Sequence, residues 1–69
     1  MDFLDDIKNT KGLGEKVMTI LFNNNIVTYL EALDKGVKGL VQFAGIGPKK
    51  AEGLVELAEK IKERVKKQL

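Results

Sequence analysis

The sequence predicts an all-α fold: one compact domain of five helices, the last and longest at the C-terminus. Three observations predict it. Apolar residues recur at steps of three and four and do not alternate. A single proline, Pro48, punctuates 69 residues. The chain also matches itself at a shift of 33 residues, so one helix–turn–helix unit is used twice.

Each element has a local reason. Residues 2–9 form the first helix, with Phe3, Leu4 and Ile7 apolar. Asp2, Asp5 and Asp6 stabilise its N-terminus, a simpler role than a metal cluster. The second helix runs from Glu15 to about Phe22 and turns Val17, Met18, Leu21 and Phe22 inward. Asn23-Asn24-Asn25 ends it, because asparagine tolerates the left-handed conformation. Thr28-Tyr29-Leu30-Glu31 is a capping-box pattern that opens a connector helix over about 28–35, stopped by Gly36. A fourth helix, Val37 to Phe43, is weakened by Gly39. The fifth starts at Pro48, whose missing N–H would be unpaired there anyway. Ala51, Leu54, Val55, Ala58, Ile61, Val65 and Leu69 lay one apolar stripe along it. Phe3, Phe22, Tyr29 and Phe43 read as core.

Composition excludes several chemistries. The chain has no Cys, His, Ser or Trp. Disulfides, thiolate metal sites and most hydrolytic triads are therefore ruled out within it. A lysine acting as a Schiff-base nucleophile would need a desolvated pocket, which so short a chain has little room to build. No enzymatic activity is expected. No apolar run approaches the length of a membrane span, and Met1-Asp2-Phe3-Leu4-Asp5-Asp6 lacks the basic start of a secretory signal. A cytoplasmic monomer is expected. The net charge is only +2, and it is unevenly placed. Residues 44–69 hold seven basic and four acidic groups, residues 1–43 five and six. Lys60, Lys62, Arg64, Lys66 and Lys67 crowd the last turns, where cations favour a helix C-terminus.

The repeat carries the chemistry. Gly12 pairs with Gly45, Leu13 with Ile46, Gly14 with Gly47 and Lys16 with Lys49. Ile7 pairs with Leu40, Leu21 with Leu54 and Phe22 with Val55. Each copy reads helix, Gly-aliphatic-Gly, lysine, helix. Glycine lets the chain reverse within a few residues, and the aliphatic residue between pins the turn in the core. The amides at the start of the next helix then face outward as an anion site, aided by the helix dipole. A nucleotide-type loop fits worse. The dinucleotide fingerprint needs a preceding strand and a third glycine, and the Walker pattern needs Lys then Ser or Thr.

Phe43-Ala44-Gly45-Ile46-Gly47-Pro48-Lys49-Lys50-Ala51-Glu52-Gly53-Leu54-Val55 closely resembles the helix-hairpin-helix motif. Thr10-Lys11-Gly12-Leu13-Gly14-Glu15-Lys16 resembles a second, more diverged copy. The whole chain is similar to a tandem helix-hairpin-helix domain with pseudo-twofold symmetry: motif 1 over about 2–23, the connector helix, and motif 2 over about 37–67. Such domains occur in the excinuclease C subunit, DNA ligases, branch-migration proteins and archaeal recombinases, and related repeats in transcription factor NusA. The resemblance implies sequence-nonspecific binding of double-stranded DNA. Each hairpin would set amides on the phosphates of one strand, and the pair would straddle a minor groove. The residues implied are Gly12, Leu13, Gly14 and Lys16, with Gly45, Ile46, Gly47, Lys49 and Lys50. It also implies no cofactor, a monovalent cation at the hairpin backbone excepted, and service to a larger DNA-repair, recombination or transcription protein or a fused catalytic domain. The first copy departs from the pattern. Glu15 stands where Pro48 stands in the second, and a carboxylate there opposes an anion. Met18 replaces the small Ala51. The modest charge and Glu15 leave a competing expectation: a protein-interaction module, as the NusA likeness suggests, with little DNA affinity.

Overall fold

The computed structural model describes residues 3–68, the side chain of Gln68 excepted. Met1, Asp2 and Leu69 lie outside the described residues, and with them the expected Asp2 start of the first helix and Leu69 end of the last stripe. The described chain is all-helical. It has four helices, not five: α1 (Phe3–Lys8), α2 (Gly14–Asn23), α3 (Tyr29–Leu40) and α4 (Pro48–Gln68).

The two short helices expected on either side of Gly36 are the two arms of α3. Gly36 does leave helical geometry, at φ 68° and ψ 178°. The chain re-enters the helix at once, with no connecting residues, so the glycine makes a kink and not a loop. The second arm also ends at Leu40, short of Phe43. At its start, Thr28 and Glu31 form the expected capping box. The Glu31 amide donates to Thr28 Oγ1 at 3.3 Å, and the Thr28 amide donates to Glu31 Oε1 at 3.1 Å.

The end of α2 is a Schellman stop. Asn25 takes φ 64°, its amide donates to the Phe22 carbonyl at 3.1 Å, and the Ile26 amide reaches the Leu21 carbonyl at 2.9 Å. Leu21 and Ile26 are both buried, which supplies the hydrophobic contact that accompanies this motif.

Packing follows the repeat. α1 packs on α2, α3 packs on α4, and α1 also touches α4. The core joins Phe3 and Ile7 of α1, Val17 and Leu21 of α2, Ala32 and Leu40 of α3, and Ala51, Leu54 and Ala58 of α4. Ile26 and Ile46 close it from the connections. Tyr29 and Phe43 pack against it half-buried. Phe22 does not: it is 59% exposed. The inward arc of α2 is centred on Val17 and Leu21, one turn apart. Phe22 lies about 100° further round, and the chain leaves the helix before anything covers it. The stripe on α4 likewise emerges from the core at Val65, which is exposed. Among the described residues, no helix is long and apolar enough to cross a membrane.

Candidate functional site

Two turns join the helix pairs, and they are built alike. In the first, the Thr10 amide donates to the Ile7 carbonyl at 3.2 Å and the Leu13 amide to the Thr10 carbonyl at 3.1 Å. In the second, the Phe43 amide donates to the Leu40 carbonyl and the Ile46 amide to the Phe43 carbonyl, both at 3.1 Å. Every partner is displaced by the same 33 positions as the sequence repeat. Ile7 and Leu40, which receive the first bond of each turn, are fully buried and anchor it to the core. Gly12 and Gly45 take φ 93° and 92°, a conformation that side chains resist.

After the aliphatic residue the turns diverge. Gly14 also takes a positive φ, 82°, and α2 begins on it. Gly47 has no positive φ, and α4 begins one position later in the repeat, at Pro48. The Ala51 amide closes the first turn of α4 on the Gly47 carbonyl at 2.9 Å. No side chain caps α2 at Leu13.

The nine residues singled out by the sequence take different parts. Leu13 and Ile46 spend their amides inside the turns, and the Ile46 side chain is buried. They position the turns and offer no donor. The amides of Gly12, Gly14, Lys16, Gly45, Gly47, Lys49 and Lys50 have no hydrogen-bond partner among the described residues. A methyl group built on Gly12, Gly14 or Gly47 meets nothing within 4 Å, so the approach to these main chains is open.

The fold brings the two turns together. A methyl on Gly45 would stand 2.8 Å from Ile20 Cδ1 of α2, and one on Gly53 of α4 would stand 3.5 Å from Leu13 Cδ2. Each turn thus lies against a helix of the other pair. Lys11, Gly12 and Leu13 of the first turn and Lys49 and Lys50 of α4 line one depression of about 210 Å³, with no carboxylate among the lining residues. Lys16 is not among them. It lines a separate shallow patch with Glu15, Thr19 and Ile20. The repeat nominated Lys16 as the counterpart of Lys49 in the other turn; the structure adds Lys11, which lines the same depression as Lys49. Sequence gave no signal for Lys11, because its counterpart in the second copy is Ala44.

The lysines of the C-terminal turns have a different setting. Lys60, Lys62, Arg64, Lys66 and Lys67 share their stretch of α4 with Glu56, Glu59 and Glu63. Opposite charges a turn apart screen one another there.

Glu31 has a distinct environment. The Val27 amide at 3.2 Å, the Thr28 hydroxyl at 3.0 Å and the Thr28 amide at 3.1 Å hold its carboxyl below the ordinary carboxylate range. This is the capping box at work. Among the described residues, no group of three acidic side chains could hold a metal ion. A monovalent cation at the turns would have to be held by main-chain carbonyls. The chain matches no protein-family model, no curated protein and no solved structure.

Proposed function

We propose that this domain binds the backbone of double-stranded DNA without reading its sequence, through two helix-hairpin-helix turns. One observation carries the reading: both turns present unpartnered amides, and the first turn and the start of α4 line one depression that holds lysines and no carboxylate. The amides of Gly12, Gly14, Gly45, Gly47, Lys49 and Lys50 are the donors to backbone phosphates. Lys49 and Lys50 add charge at the start of α4, where the helix dipole already favours an anion. Lys16 lies outside this depression, on a patch with Glu15, Thr19 and Ile20. Nothing in this arrangement reaches base edges, so affinity comes from phosphates alone. A module of this kind serves a larger DNA-processing or transcription protein.

Titration of a fluorescently labelled short duplex at several salt concentrations tests it. With about four to six phosphates engaged, log K falls against log salt with a slope of about −3.5 to −5.5. Salt-insensitive binding, or none at high micromolar protein, ends the proposal. Gly47→Ala weakens binding more than Lys66→Ala does; equal losses mean diffuse charge attraction.

A second reading has one observation in its favour. Phe22 and Leu30, on either side of the connection between α2 and α3, are 59% and 57% exposed. Exposed large apolar residues suit a protein-docking surface. If that is the function, adding the partner shifts amides around residues 22–30 and leaves the turns unmoved in NMR spectra.

A further inference from the structure

We infer that Lys11, Lys49 and Lys50 form one composite seat for a single backbone phosphate, so that Lys11 and not Lys16 supplies the cation of the first turn. The inference rests on the nucleic-acid reading above and assigns a residue to it that the repeat conceals.

By the repeat, Lys16 corresponds to Lys49 and Lys11 to Ala44. Burial shows why the correspondence fails in space. Under the same shift Val17 falls on Lys50, yet Val17 is fully buried and Lys50 is exposed. α2 therefore turns into the core a position that α4 turns to solvent. Lys16 and Glu15 line a patch with Thr19 and Ile20. Lys11 stands before Gly12, on the exposed side of the turn, and lines the depression that Lys49 and Lys50 enter from α4.

Three lysines from two separate elements line the depression. Like charges repel, and no carboxylate lines the depression to balance them. Elsewhere on this chain the C-terminal lysines are interleaved with glutamates. A depression of about 210 Å³ equals the liquid volume of roughly seven waters, room enough for a phosphate group. Lysine is a point charge on a flexible stem, so three can converge on one oxygen cluster without preset geometry. The free amide of Gly12 adds a fixed donor at the rim. The same displacement removes the difficulty posed by Glu15, whose carboxylate lies with Lys16 on the other patch.

The test compares binding of the labelled duplex by the native chain and by Lys11→Ala, Lys16→Ala, Lys49→Ala and Lys11→Ala/Lys49→Ala. Circular dichroism checks that each stays folded. Lys11→Ala should weaken binding by about two- to fivefold, the range of an exposed ion pair. It should also make the salt slope shallower by up to about one, while Lys16→Ala stays near native on both readouts. Because Lys11 and Lys49 act on one phosphate, the double variant should lose less than the product of the single losses. Native-like binding by Lys11→Ala, an equal loss from Lys16→Ala, or losses that simply multiply would each overturn the shared seat while leaving the proposed function intact. A native chain that fails to bind removes both.

Discussion

Substituting alanine at three turn glycines separates what the backbone needs from what the packing needs. Gly12 and Gly45 hold nearly the same φ, 93° and 92°. A methyl on Gly12 meets nothing within 4 Å, whereas one on Gly45 comes within 2.8 Å of Ile20 Cδ1. The strain of holding an L-residue near the left-handed region is about 1–2 kcal/mol at either position. At Gly45 the end of the Ile20 side chain must also move off its rotamer, which adds about 0.5–1.5 kcal/mol. Gly12→Ala should then cost about 1–2 kcal/mol and Gly45→Ala about 1.5–3.5 kcal/mol. Gly47 has neither a positive φ nor a neighbour, so Gly47→Ala should be neutral or stabilising by up to about 1 kcal/mol through the unfolded chain. Thermal unfolding followed by circular dichroism resolves these values, since 1 kcal/mol moves Tm by about 4–8 °C in a domain of this size. The unfolded-state gain of alanine over glycine is common to Gly12 and Gly45 and cancels in their difference. Equal melting of those two variants, or a Gly47→Ala loss as large as that of Gly12→Ala, would refute the assignment of the turns. The same result makes Gly47→Ala a clean probe of binding, because folding is left alone.

Four further outcomes follow from the packing and the cap. Leu21→Ala and Leu54→Ala, at fully buried and repeat-equivalent positions, should each cost about 2–5 kcal/mol in urea denaturation. That is a large share of the roughly 3–10 kcal/mol a chain of this length has in total; losses below about 1 kcal/mol would contradict the core. Phe22→Ser should stay within about 0.5 kcal/mol of native, because the ring is mostly in water; a loss of core size would restore Phe22 to the interior. Thr28→Ala should cost about 0.5–2 kcal/mol by removing the side-chain acceptor for the Glu31 amide, read from the same denaturation curves. Glu31 is held below its ordinary value of 4.5, first by the Val27 amide and then by the Thr28 hydroxyl. Its folded carboxyl binds a proton less readily than the unfolded one. Its contribution is therefore complete above about pH 4.5 and is lost as pH falls through the lower folded value. Carboxyl NMR titration should show that depression, and Glu31→Gln should flatten this part of the stability profile; an unshifted Glu31 titration would reject the cap's role.

Local rules made much of the molecule legible. Thr28 and Glu31 declare a helix start by chemistry confined to four residues, and Asn25 declares a helix end by a conformation that asparagine tolerates. Pro48 opens α4 for a reason internal to one pyrrolidine ring. Gly12 and Gly45 mark the two turns, and Ile7 and Leu40 mark their anchors, because the pattern is written twice. The kink at Gly36 was visible as an interruption. That it would be a bend inside one helix, and not a gap between two, was not, since nothing local requires connecting residues after it.

The amino-acid order by itself determined the all-helical class, the caps, the repeated turn and the residues that sit in it, because each depends on contacts within a few positions along the chain. Tertiary packing alone decided which faces of matching helices turn inward. Val17 is buried where Lys50 is not, Phe22 is left in water, and Lys11 joins Lys49 while Lys16 departs. Two nearly equal sequence copies need not roll to the same angle, since each helix settles against a different neighbour.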